Sequence, residues 1–113
     1  MFDLREHKDL IHSLVAEANE NDANWKWSVK SVGKTKARIF WSYLEYCGQP
    51  EPYFVIELED TGDGYWIHAL DERDSYIESE IVVDNDLPFL NCPPDKAIEK
   101  MIRCIVNTAH NCY

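Results

Sequence analysis

The chain has 113 residues, 45% of them hydrophobic and 28% charged, with a formal net charge of −10 at pH 7. That length supports one domain with a core of its own and leaves no room for a second domain or a long structureless linker. No window approaches the roughly 18 uninterrupted apolar residues of a membrane span, and Met1-Phe2-Asp3-Leu4-Arg5-Glu6 lacks the basic-then-apolar pattern of a secretory signal, so the expected setting is the bacterial cytosol.

Asp3 is placed to cap a helix with Glu6 at the third helical position, and Leu4, Leu10, Ile11, Leu14, Val15 and Ala18 follow as one apolar stripe. This helix is expected to end near residues 19–24. Trp25, Trp27 and Val29 then alternate with Lys26, Ser28 and Lys30, and Gly33 separates this run from a second one over 36–46, rich in β-branched and aromatic residues. The pattern predicts a hairpin. Gly48-Gln49-Pro50-Glu51-Pro52 breaks the chain, after which 53–59 alternates again, with Phe54, Ile56 and Leu58 on one face and Tyr53, Val55, Glu57 and Glu59 on the other. Asp60-Thr61-Gly62-Asp63-Gly64 supplies a tight reversal, 65–70 reads as the next strand, and 77–83 as a shorter one. Cys92-Pro93-Pro94-Asp95 opens a last helix whose apolar face is Ala97, Ile98, Met101, Ile102, Ile105, Val106 and Ala109. The order α-β-β-β-β-(β)-α, with short connections, predicts a single compact α+β domain over 1–113. It consists of an antiparallel meander of four to five strands, with both terminal helices packed on one face. The opposite face is left to solvent or a partner.

Charge follows this order unevenly. Residues 1–24 hold six acids against two bases, and 25–44 hold Lys26, Lys30, Lys34, Lys36 and Arg38 with no acid. Residues 45–95 then carry fourteen acids against Arg73 alone. The basic hairpin interleaves its cations with Trp25, Trp27, Phe40, Trp41 and Tyr43, a composition suited to nucleic acid. The acidic stretch beside it opposes a phosphate backbone, so direct nucleic-acid binding is not expected. Cross-strand ion pairs between basic and acidic strands, with the aromatics in the core, account for the same residues.

Signatures of chemistry are sparse. His7, His12, His68 and His110 are scattered, and Cys104, His110 and Cys112 lack the paired short spacing of a structural zinc site. The four cysteines, Cys47 included, are expected as free thiols in a reducing compartment. Loop 60–64 lacks the third acid and the bidentate Glu of a calcium loop. No nucleophile elbow or phosphate-cradling glycine loop is present. Glu57 and Glu59 share a strand face, as paired catalytic carboxylates do, but on so acidic a protein such pairs arise by chance and a solvated strand face is the favoured explanation. The chain is therefore expected not to be an enzyme, and no metal or cofactor is expected.

The remaining signal is the acidic run. Glu57, Glu59, Asp60, Asp63, Asp71, Glu72, Asp74, Glu78 and Glu80, together with Asp84 and Asp86, predict a carboxylate surface, with Tyr53, Tyr65, Trp66 and Tyr76 as aromatic anchors. Carboxylates can occupy Lys and Arg sites that phosphates use, and such a field steers association at up to about 10⁸–10⁹ M⁻¹s⁻¹. The expected function is that of a small acidic inhibitor docking onto a basic, nucleic-acid-binding surface of a nuclease or related complex, as phage anti-CRISPR and anti-restriction proteins do. An immunity protein that neutralises a basic toxin is the alternative with the same physics. An enzyme or ligand-binding domain with a pocket lined by Trp27, Trp41 and Trp66 is the alternative from another class.

Overall fold

The computed structural model describes residues 2–21, 25–43, 53–84 and 86–112. Its first helical turn departs from the predicted capping box. Asp3 Oδ1 accepts the Arg5 N–H at 2.9 Å, but Leu4–His7 form a 3-10 turn and α1 begins only at Lys8, running Lys8–Glu20. The cause is a long-range tie. The Leu4 N–H donates to Lys34 O at 3.0 Å and the Leu4 side chain is fully buried, so this turn follows the hairpin rather than the helix axis. Arg5 also bonds the Asp3 carboxylate through its side chain at 2.7 Å, holding that carboxyl down at about 2. The stabilisation from this lowered pKa is complete above the ordinary carboxyl range and is lost as pH falls through about 2.

Five strands follow in a meander, each antiparallel to the next in the order β1-β2-β3-β4-β5. They are β1 (Trp25–Val32), β2 (Lys36–Tyr43), β3 (Tyr53–Asp60), β4 (Gly64–Leu70) and β5 (Tyr76–Asp84). The predicted continuation of β2 through 44–46 and the break at 48–52 lie outside the described residues. The helix α2, Pro94–Cys112, returns across the sheet, packing on β3, β4 and β5, while α1 lies against β1 and α2. Both helices cover one face, as the alternation predicted. Ile11 and Val15 of α1 and Ala97, Ile98, Met101, Ile102, Ile105 and Ala109 of α2 close on Trp27, Ile39, Trp41, Phe54, Ile56, Ile67 and Ala69 in one core. No described helix is long and apolar enough to cross a membrane.

Both edges of the sheet are partly capped, by side chains and by one backbone contact. At β1, Asn19 imitates a neighbouring strand: its Nδ2 donates to Trp27 O at 2.8 Å and its Oδ1 accepts the Trp27 N–H at 2.6 Å. At β5, Glu78 Oε1 accepts the Ser79 N–H at 3.0 Å, Glu80 Oε1 accepts the Ile81 N–H at 3.3 Å, and Ile81 O accepts the Cys92 N–H at 3.0 Å. Edge groups left open are templates for pairing with another chain, and these contacts occupy several of them. Asn19→Leu removes both β1 bonds and is expected to cost about 1–3 kcal/mol. An unchanged urea midpoint in that variant would mean that water satisfies the edge equally well.

Candidate protein-interaction face

The sheet face turned away from the helices is built by the alternation that fills the core. Register places Lys26, Ser28 and Lys30 of β1, Lys36, Arg38 and Phe40 of β2, and Tyr53, Val55, Glu57 and Glu59 of β3 on it. Trp66, His68 and Leu70 of β4, with Tyr76, Ser79 and Ile81 of β5, complete it. Val55 and Leu70 are buried yet stand outside the helix-side core cluster, so they form a small second packing layer on this face.

Two cross-strand stacks organise the surface. In the basic half, Lys30 Nζ lies 5.8 Å from the Phe40 ring centre, and Phe40 stacks on Tyr53 at 5.6 Å. In the other half, the His68 ring lies 6.1 Å from Trp66 and 4.6 Å from Tyr76, stacked on both. Lys36 reaches Glu57 at 3.8 Å, the kind of cross-strand pair expected between the basic and acidic strands.

His68 is the buried polar residue of this face, 6% exposed, and it ties three strands together. Its Nε2 lies 2.8 Å from Glu59 Oε2 and its Nδ1 lies 2.6 Å from Ser79 Oγ. A carboxylate accepts, so Nε2–H donates to Glu59, and Nδ1 is hydrogen-bonded to the Ser79 hydroxyl. Carboxylate, imidazole and hydroxyl thus stand in the order used to activate a serine nucleophile. The Ser79 N–H, a natural donor to a developing oxyanion, is instead committed to Glu78, and the ring is covered by its stacking neighbours. The array ties β3, β4 and β5 together across the face. Alternation from Trp66 to Leu70 places His68 on this side, but the diagonal reach to Glu59 depends on the β3–β4 register, which the sequence does not display.

The carboxylates predicted to form one surface are divided by the structure into four groups. Glu57 and Glu59 stand on the open face with Tyr53 and Trp66. Asp60 ends β3 and Asp63 lies in the β3–β4 connection, while Asp71, Glu72 and Asp74 lie in the β4–β5 connection at the other end of β4, roughly 20 Å away along the strand. Glu78 and Glu80 are on the helix side, where they cap β5; Glu80 also bonds Lys100 Nζ at 2.7 Å, and Glu78 lies 3.9 Å from Cys104 Sγ. Tyr65 is on the helix side too, 6.2 Å from the Phe2 ring. Several of the turn acids shape the loops that carry them. Asp60 Oδ1 accepts the Gly62 N–H at 2.8 Å, Asp71 Oδ1 accepts the Arg73 N–H at 2.9 Å and the Ser75 N–H at 3.0 Å, and Asp74 adopts φ 62, a left-handed conformation that Asp tolerates.

The pocket of three tryptophans does not form. Trp27 and Trp41 belong to the helix-side core, whereas Trp66 stands on the opposite face, because the β3–β4 register pairs it with Glu59. A groove of about 180 Å³ opens instead between α1 and α2, with Leu14, Ala18, Ile102 and Val106 at its base. Among the described residues no three His, Cys, Asp or Glu side chains gather as a metal site. Cys92 and Cys104 are free thiols pushed up from their ordinary value, first by burial and then by the carboxylates of Glu80 and Glu78. Cys47 and the Cys112 side chain lie outside what is described. The sequence reading also missed Leu87 and Phe89, exposed beside Asp86, with Phe89 79% accessible. Comparison with protein-family models, curated proteins and solved structures finds no match to this chain.

Proposed function

We propose that the protein binds another protein through the connections of its β3–β5 half, setting carboxylates against a basic surface of the kind that grips nucleic-acid phosphates. One observation carries this reading. Among the described residues Asp60, Asp63, Asp71, Glu72 and Asp74 form no ion pair with a Lys or Arg, although Lys26, Lys30 and Arg38 stand on the same sheet. Uncompensated like charges repel one another within the folded chain, and a cationic partner relieves that repulsion. Leu87 and Phe89 lie next to the chain end of β5, where Asp84 pairs with Gly64 at the β3–β4 connection, and they offer an apolar anchor among the acids. Occupation of phosphate sites makes the protein an inhibitor of its target, with a nuclease or a nucleic-acid-binding complex as the target class.

The test uses amide replacements, which keep the acceptor oxygens that hold the turns. The chain and its D60N/D63N/D71N/E72Q/D74N variant are immobilised, and captured proteins are eluted along a salt gradient and challenged with duplex DNA. The expected result is a basic protein that DNA displaces and that binds the variant at least tenfold more weakly, with the melting temperature of the variant preserved. Equal capture by both chains, or capture that DNA does not disturb, would remove the carboxylates from the interface.

A further inference from the structure

We infer that the open sheet face is the interface of a symmetric dimer, one copy of the chain covering that face of another. The face carries Phe40, Tyr53, Trp66 and Ile81, all half-exposed, and Tyr76 at 66% exposure, a concentration of aromatic and apolar surface that water solvates poorly. Five strands about 4.8 Å apart and about eight residues long give a flat footprint on the order of 500 Å² before side-chain relief is counted. Specific interfaces begin at roughly 600 Å² per partner, so the flat footprint reaches the lower end of that range once side-chain relief is added.

Charge selects a second copy as the occupant. Lys26, Lys30 and Arg38 are exposed in the β1–β2 half and form no ion pair among the described residues. Register sets them at one end of the sheet. Arg38 is paired with Val55 and Val55 with Leu70, the residue before Asp71, while Lys26 is paired with Ser42, further towards that same end. Arg38 therefore stands level with the start of the β4–β5 connection that carries Asp71, Glu72 and Asp74, and Lys26 lies beyond it, on the opposite lateral half of the sheet. A two-fold axis parallel to the strands and midway between two stacked sheets keeps the ends together and exchanges the halves. It lays β1 and β2 of each copy over β5 and β4 of the other, so each cationic half meets an acidic turn twice over by symmetry. Two sheets packed about 10 Å apart bring the aromatic side chains of both faces into contact between these charged flanks, while β3 lies over β3 with Glu57 held by Lys36 and Glu59 by His68 within each copy.

Asp60 and Asp63 lie at the other end and stay open in the dimer, so this inference does not rest on a foreign partner. A basic target and the second copy compete only for the turn that holds Asp71, Glu72 and Asp74.

The test is the solution mass of the full chain by light scattering and sedimentation from about 10 to about 500 µM, in low and high salt. The expected species at low salt has twice the 13.2 kDa chain mass, with a dissociation constant at least tenfold weaker in about 0.5 M NaCl. Arg38→Glu and Glu72→Lys, both at exposed positions, are each expected to weaken the dimer at least tenfold, and Tyr76→Ser likewise. The double variant R38E/E72K restores it, because in a two-fold interface each exchanged charge meets its exchanged partner. A monomer at every concentration in low salt overturns the inference. So does a dimer that Arg38→Glu and Tyr76→Ser leave unchanged, since it would form through another surface.

Discussion

Ile102→Asp is expected to leave the chain unfolded at neutral pH and ordinary temperature. Ile102 is 4% exposed and sits in the α2 stripe that closes on the sheet. Removing a buried branched side chain costs about 2–5 kcal/mol, and an unpaired buried carboxylate adds several more. A domain of this size has about 5–15 kcal/mol in total. The groove that Ile102 borders offers no escape, because Glu17 and Glu99 line it and Arg103 is already engaged by Glu99. The sign of the pH dependence follows. Burial raises the pKa of the new carboxyl in the folded state above its unfolded value, so the folded state binds more protons and the defect shrinks as pH falls towards 4. Circular dichroism melts of Ile102→Asp and Ile102→Leu at two pH values check this. The leucine variant should lose less than about 1.5 kcal/mol, and a native-like melt of the aspartate variant would mean that the register of α2 against the sheet is wrong.

The same core shows why so much of the fold could be read from the sequence. The i, i+3, i+4 stripe of α2 and the strict alternation over 53–59 are local patterns with one period each, and both elements form where those periods place them. What could not be read depends on contacts between distant segments. The 3-10 turn at Leu4 depends on Lys34, thirty residues away, and the register shifts opposite Tyr65 and Leu70 in β5 arise from pairing rather than from any residue preference.

The acidic site divides along the same line. Glu78 and Glu80 belong to the acidic run expected to form one carboxylate surface, but β5 is an edge strand whose carboxylates reach round to its own N–H groups. Glu78 and Glu80 therefore serve the sheet. Asp60, Asp63, Asp71, Glu72 and Asp74, placed in turns by glycine and by their own side-chain bonds, keep their charge for the outside. The division of labour among eleven neighbouring acids is set by which of them the sheet needs as hydrogen-bond acceptors, and strand pattern alone does not carry that information.

The two glycines of the β3–β4 connection are expected to fail for different reasons when replaced, and the contrast tests how tightly that turn is held. At Gly64 an added Cβ would run into the Val83 carbonyl and lie 2.7 Å from the Asp84 Cα, backbone atoms of the paired strand that cannot rotate away. Accommodating it means separating β4 from β5 where Gly64 pairs with Asp84, beside the register shift. Overpacking of this kind costs about 1–3 kcal/mol and can exceed it when backbone must move. Gly64→Ala is expected at or above the top of that range. At Gly62 nothing lies within 4 Å of the added Cβ, but φ is +88, so the cost of alanine is conformational, about 1–2 kcal/mol. The discriminating variant is asparagine, which tolerates a left-handed backbone: it should recover much of the loss at Gly62 and none at Gly64. Urea midpoints for the four variants decide it. Equal losses at both positions would mean that β5 yields at Asp84, and that the turn presenting Asp60 and Asp63 is looser than its geometry implies.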